Sequence, residues 1–151
     1  MPETTETGHV PVTPTEAFDR LADFTHLPDW DPTFDRAEHI SGDLGLGARF
    51  HAVGSLMGAS FELELTITTY DRPNRLVLEG RGEGLETTED LRFAPVEQGC
   101  EVTYHSRFTT DKPDLVEALS QPAFLALGKR TMSDLVDWLS AEPTADGTAG
   151  G

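Results

Sequence analysis

The stretch from Pro122 to Leu139 is the only long segment of this chain with clean helical periodicity, and it dictates what the remainder must supply. At 100° per residue, Phe124, Leu127, Leu135 and Trp138 form one stripe, with Leu125, Met132, Val136 and Leu139 in a second beside it. Together they cover about half the circumference, wider than the apolar stripe of an ordinary surface helix. Lys129, Arg130, Ser133, Asp134 and Asp137 fill the other half. A helix of this kind needs a partner that wraps it. Near the middle of the apolar half stand Gly128 and Thr131, where a helix that simply plugs a core uses large side chains. Either another element packs closely at Gly128, or the small residues leave a hollow beneath the helix.

Nearly everything upstream reads as strand. Ser60–Tyr70 alternates strictly, with Phe61, Leu63, Leu65 and Ile67 on one face and Glu62, Glu64, Thr66 and Thr68 on the other. Further strands are expected over Phe34–Ser41, Ala48–Leu56, Arg75–Arg81, Glu86–Pro95 and Glu101–Thr109, separated by short turns rich in glycine, aspartate, asparagine and proline. Short turns between successive strands require antiparallel pairing. Before them, His9–Val12 is short and β-prone. Thr13-Pro14-Thr15-Glu16 opens a helix, with Thr13 as N-cap, Pro14 at the first position and Glu16 completing a capping box. Thr25–Trp30 reads as a second short helical turn, stopped by Asp31-Pro32. Asp114–Leu119 reads as a short helix or a first turn of the long one.

The chain's 151 residues fit one domain, here assigned to residues 9–140. Residues 1–8 and the tail 141–151 are polar and are expected to be disordered. With 27 acids against 11 lysines and arginines, the net charge of -16 argues against nucleic acid and anionic membranes as partners. The first residues carry neither the basic start nor the apolar run of a secretory signal. No apolar stretch approaches the ~20 residues of a membrane span. A cytoplasmic protein with no membrane insertion is the expectation. The lone Cys100 excludes an internal disulfide and reads as a small structural residue.

Four segments resemble motifs of the START/Bet v 1-like (SRPBCC) superfamily: Val12-Thr13-Pro14-Thr15-Glu16-Ala17-Phe18, Asp23 through Pro32, Gly45-Leu46-Gly47-Ala48-Arg49-Phe50, and Asp71-Arg72-Pro73-Asn74-Arg75-Leu76. They occur in the family's order across residues 9–140, and the nearest branch is polyketide cyclase/dehydratase-like. The resemblance implies an α+β helix-grip fold. Six or seven antiparallel strands would wrap the C-terminal helix, with two short helices after the first strand. It also implies an elongated cavity between sheet and helix, in which relatives hold lipids, steroids or polyketides. Some relatives catalyse cyclisation and dehydration, some only carry ligand, and some act by protein contact.

The candidate chemistry follows from alternation. In Glu86–Phe93 the apolar side carries Leu91 and Phe93, and Thr87 and Glu89 share it. In Glu101–Thr109 that side carries Val102, Tyr104, Ser106 and Phe108. Glu89 and Tyr104 are therefore candidate catalytic groups, because a carboxyl in an apolar cavity has a raised pKa. The alternative is a bulge or fraying that leaves Glu89 in solvent. Arg75–Arg81 is ambiguous: either Leu76 and Leu78 face inward, or Val77, Glu79 and Arg81 do. Trp30 is either a staple between the helix pair and the sheet or a ligand-stacking ring. With it, Phe50, Phe61, Leu63, Leu65, Val77, Glu79, Leu91, Ser106, Phe124, Gly128, Thr131 and Met132 form the candidate ligand wall.

Other motifs lead nowhere. Gly45-x-Gly47 and Gly80-x-Gly82-x-Gly84 do not enter a helix, so neither makes a phosphate loop. His26, Asp29 and Asp31 sit at a proline-bounded turn, where capping and solvation explain them better than a metal. His51 and His105 fall on the polar strand faces. No Ser-His-Asp pattern or nucleophile elbow is present. The resulting expectation is a hydrophobic or aromatic small molecule held in an internal cavity, with polyketide-type cyclisation or dehydration as the enzyme reading. That chemistry needs no metal and no nucleotide, and no cofactor is signalled. A non-catalytic lipid carrier and a protein-interaction module are the alternatives.

Overall fold

A computed structural model describes residues 3–141. Strand β1 (Glu3–Val10) is followed by α1 (Pro14–Ala22), a 3-10 turn at Phe24–His26 and α2 (Leu27–Trp30). Then come β2 (Phe34–Ser41), β3 (Arg49–Leu56), β4 (Ala59–Asp71), β5 (Arg75–Gly82), β6 (Leu85–Val96) and β7 (Gly99–Thr110). The chain closes with α3 (Pro113–Ala118) and α4 (Gln121–Ser140). The strands form one antiparallel seven-stranded sheet in the order β1-β7-β6-β5-β4-β3-β2. This is the helix-grip arrangement: the sheet curls around α4, and α1 and α2 close one side.

Alternation sets the concave face throughout. Phe61, Leu63, Leu65 and Ile67 are all buried, while Glu62 lies on the opposite face beside His51, and Glu64 beside Arg49. On β5 the structure selects Leu76 and Leu78 for the interior. Glu79 is exposed and Val77 is buried on the outer face, so neither lies on the cavity side. The physical reason is register: Leu78 stands opposite Ile67 and Glu89, both inward-facing residues of the neighbouring strands. Thr13 caps α1 as its position suggested, its hydroxyl accepting the Glu16 N–H at 3.1 Å. Gly80 and Gly82 fall within β5, and Gly84 sits in the β5–β6 turn at φ +66°.

Residues 3–8, expected to be disordered, are instead the body of β1. Their threonines are β-branched and suit a strand, and β1 pairs with β7 from Glu3↔Arg107 to Val10↔Cys100. Thr4 and Gly8 on its inner face let α4 lie close across it. A Cβ at Gly8 would stand 2.7 Å from Met132 Sδ and Val136 Cγ2. The expected tail lies largely outside the described residues.

On α4 the buried face is Phe124, Gly128, Thr131, Met132, Leu135 and Leu139. Leu125, placed in the apolar half by periodicity, is 41% exposed because it points away from β1. Gly128 is a close approach: a Cβ there would stand 2.8 Å from Thr4 Cγ2 and 2.9 Å from Thr4 Oγ1. Thr4 is stiff at χ1 and cannot swing away freely. Gly128→Ala should therefore destabilise the fold by about 1–2 kcal/mol despite alanine's better helix propensity. Adding Thr4→Ala should restore most of that loss. Urea unfolding of both single variants and the double variant measures the coupling, and additive changes would refute the contact.

At its far end α4 is capped in trans. Arg20 of α1 donates to the Trp138 and Leu139 carbonyls at 2.9 and 3.2 Å, and its guanidinium lies 4.8 Å from the Trp138 ring centroid. A cation there meets the negative end of the helix dipole.

Candidate functional site

The buried polar residues of the sheet's inner face, Thr4, Thr87, Glu89 and Ser106, all lie on β1, β7 and β6. A cross-strand row reads Thr4, Ser106, Glu89 on β1, β7 and β6, then turns apolar at Leu78 and Ile67. Tyr104 stands one step along β7 on the same face, opposite Glu6 and Leu91. Glu89 is 8% exposed, Ser106 6% and Tyr104 5%, so the alternation argument holds and Glu89 does not escape to solvent.

The loop after α2 brings a second carboxyl to the same place. Asp31 is buried, and its Oδ1 accepts the Thr33 N–H at 3.0 Å and the Thr33 hydroxyl at 2.8 Å. The loop is seated by Gly54 of β3. A Cβ on Gly54 would stand 2.3 Å from the Thr33 carbonyl oxygen, which accepts the Ser55 N–H at 2.9 Å. No other residue leaves room for that backbone. Trp30 packs edge-on against Tyr104, with ring centroids 6.0 Å apart, and fixes the phenol from above. The ring is 2% exposed, consistent with a staple.

Thr4, Asp31, Glu89, Tyr104, Ser106 and Thr131 line one small chamber together with Gly128 and the apolar walls Phe34, Phe108, Phe124 and Leu127. Its free volume is about 20 Å³, room for one group the size of a water. Among the described residues, Thr4 Oγ1, Trp30 Nε1 and Glu89 Oε2 are buried without a hydrogen-bond partner. Burial pushes Glu89 up to about 8, a shift that the Ser106 and Tyr104 hydroxyls oppose and the charge of Asp31 reinforces. Asp31 is raised to about 6, again by burial, with the Thr33 hydrogen bonds pulling the other way. Burial and the two carboxyls push Tyr104 well above its ordinary value. At neutral pH the chamber thus holds a largely protonated Glu89, a largely ionised Asp31 and a neutral phenol.

Of the residues singled out from sequence, Glu89, Tyr104, Ser106, Phe124, Gly128 and Thr131 meet at this chamber. Phe50, Phe61, Leu63, Leu65 and Leu91 are buried on the same face of the sheet but do not line it, and Met132 packs on β1 at Gly8. Val77 and Glu79 are on the other face. Asp31, Thr33 and Thr4 were missed. Asp31-x-Thr33 is a recognisable side-chain-to-backbone turn, but nothing local says that the turn is buried. His26 lies at the surface, with Nδ1 3.3 Å from Asp29 Oδ2. Among the described residues no group of three or more His, Cys, Asp or Glu could hold a metal ion.

Phe108 is shared between the chamber and a surface groove of about 450 Å³ formed with Thr110, Val116, Leu119 and Gln121. Its ring stacks edge-on against Phe124 at 5.4 Å between centroids. Phe108 therefore stands between the two spaces, with Phe124 beside it on the chamber side. Among the described residues, no helix is long and apolar enough to cross a membrane.

Comparison with known structures returns the same architecture. TTHA0849 from Thermus thermophilus superposes with a TM-score of 0.70 at 18% identity, covering 91% of this chain and 99% of that one. A START superfamily protein from Mycobacterium smegmatis gives 0.69 at 12%, covering 91% and 94%. Ginseng major latex-like protein 151 from Panax ginseng gives 0.65 at 10%, covering 92% and 97%. At these identities the likeness concerns the fold. A sequence search against curated proteins returns no match. The family described as polyketide cyclase/dehydrase and lipid transport matches residues 1–147. With nearly the whole chain matched and the helix-grip architecture in place, this protein belongs to the polyketide cyclase/dehydrase and lipid transport family.

Proposed function

We propose that this chain binds an apolar small molecule by a single polar head, with the head in the chamber beside Glu89 and the body along the Phe108 partition. The observation that carries this reading is the buried row of Thr4, Ser106 and Glu89 beneath α4, which includes an unpartnered carboxyl oxygen, Glu89 Oε2. A buried polar atom without a partner is costly. A ligand group that supplies the missing hydrogen bond recovers that cost, and one without it does not. The chamber admits only the head, so entry requires the Phe108 and Phe124 rings to part.

A second reading, catalysis of polyketide-type cyclisation or dehydration, is favoured by the protonation states. Such a reaction needs a group to give or take a proton near neutrality and a donor for a developing enolate oxygen. Glu89 and Tyr104 suit those two roles. The family's description names both cyclase/dehydrase and lipid transport, and the binding step is common to both.

The binding step is tested with Nile red, a neutral apolar dye. Thr131→Leu adds apolar bulk at the chamber wall and should weaken dye affinity at least tenfold while circular dichroism shows the fold retained. Unchanged affinity in a folded variant would place the ligand elsewhere.

A further inference from the structure

The chamber is chemically one-sided. Its ionisable lining is Glu6, Asp31, Glu89 and Tyr104, all acids. Among the described residues no lysine, arginine or histidine lines it; Lys129 Nζ lies 3.5 Å from Glu6 Oε2, with its side chain 72% exposed. From α4, Asp134 adds further negative charge that acts on Asp31. A ligand with an anionic head meets like charge at short range and in low dielectric, where repulsion is least screened. A neutral head can satisfy the lone Glu89 oxygen but leaves the charge of Asp31 uncompensated. A cationic head answers both carboxyls at once and has aromatic faces, Tyr104 and Phe108, to lie against. An ammonium group is about the size of a water, which is the space available.

We propose that the chamber receives a cationic head group: the ligand is an apolar molecule with one basic nitrogen, whose ammonium sits between Glu89 and Asp31 while its tail runs past Phe108 into the surface groove. This rests on the ligand-binding reading above and narrows it to a charge class. Fatty acids and other carboxylates are excluded, and a carbonyl compound bearing an amine satisfies both this inference and the catalytic reading.

The proposal has a signature that mere hydrophobic binding lacks. At pH 7 Glu89 holds its proton in the free protein. An incoming ammonium favours the carboxylate, so the Glu89 proton leaves to solvent while the ligand keeps its own. Ordinary amines stay protonated to about pH 10. Affinity should therefore rise with pH between about 6 and 8, as the proton becomes easier to displace. Tyr104 stays neutral throughout, and Asp31, raised to about 6, adds to the rise only in the lower half of this range, so the rise between about 7 and 8 and the proton released at pH 7 report Glu89.

The experiment is a calorimetric titration with octylamine, 1-octanol and octanoate, which share one tail. It is run at pH 7 and 150 mM salt in two buffers of different ionisation enthalpy. Octylamine should bind at least tenfold more tightly than 1-octanol, octanoate should not bind, and octylamine binding should release close to one proton. Glu89→Gln should abolish the release and weaken octylamine at least tenfold. Asp31→Asn should weaken octylamine comparably, and it carries the test if the first variant does not fold. If 1-octanol binds as tightly as octylamine, the cation is wrong and the binding pocket stands. Octylamine binding with no proton release and no response to either variant reflects adsorption to an acidic surface and overturns the proposal. If none of the three binds, the proposed function falls with it.

Discussion

Between about pH 5 and pH 8 the wild-type protein should lose about 4 kcal/mol of stability that the Glu89→Gln variant keeps. The sign follows from where the proton sits. Glu89 is raised from 4.5 to about 8 by burial. Below the unfolded value both states are protonated and the group contributes nothing. Above it the unfolded chain releases the proton while the folded chain retains it, so each further pH unit costs the folded state about 1.4 kcal/mol. The loss stops once the folded pKa is passed. Asp31 adds a smaller loss of the same sign between 3.8 and about 6. Asp19 and Asp90, lowered with help from Arg72 and Arg75, act oppositely, but their contribution disappears only as pH falls below the ordinary carboxylate range. Glutamine preserves the shape and hydrogen-bonding capacity of a protonated glutamate without its titration. Urea unfolding of both proteins at several pH values isolates the difference, in 0.5 M salt to screen the general acidity. Parallel curves would show Glu89 ionised or hydrated in the fold, and its role as a proton donor would go with it.

The second large effect is kinetic. With a reactive poly-β-ketone analogue as substrate, Glu89→Gln should lower turnover by roughly 10²–10⁴ while leaving the fold intact. Tyr104→Phe should lower it by about 10²–10³, the cost of one donor to a developing oxyanion. Glu79→Gln is the control: Glu79 is exposed on the outer face of β5 and should not affect the rate. A wild type that cyclises the analogue alongside an equally active Glu89→Gln would remove Glu89 from the mechanism. A wild type that binds the analogue and turns nothing over is a carrier, and Glu89 then serves recognition.

Much of this could be seen in the sequence because strands carry their orientation in every second residue. Phe61 through Ile67 fixed the concave face of β4 without any structure, and the same reasoning put Glu89, Tyr104 and Ser106 inside. It failed on β5, where Leu76, Val77 and Leu78 are consecutive apolar residues and either face is consistent. Only pairing with Ile67 and Glu89 decides it. It failed differently at β1. Thr4 and Gly8 look like the composition of a loose end, and their burial depends on Gly128, Met132 and Val136 more than a hundred residues away. Asp31 was visible as a turn former, but its burial depends on the missing side chain of Gly54. Local pattern reports the direction of a side chain. It does not report what a distant element places on top of it.

The break between Glu89 and Leu78 divides one continuous sheet into two regions with different duties. From β5 to β2 the buried side chains of the inner face are all hydrophobic. Across β1, β7 and β6 lies the polar row, covered by α4. Ser106 and Thr131 line the chamber and lie outside that hydrophobic region. Ligand preference can therefore drift or be redesigned at these two positions while Thr4, which abuts Gly128, is kept, and a library confined to them is a practical starting point for altering what the protein accepts.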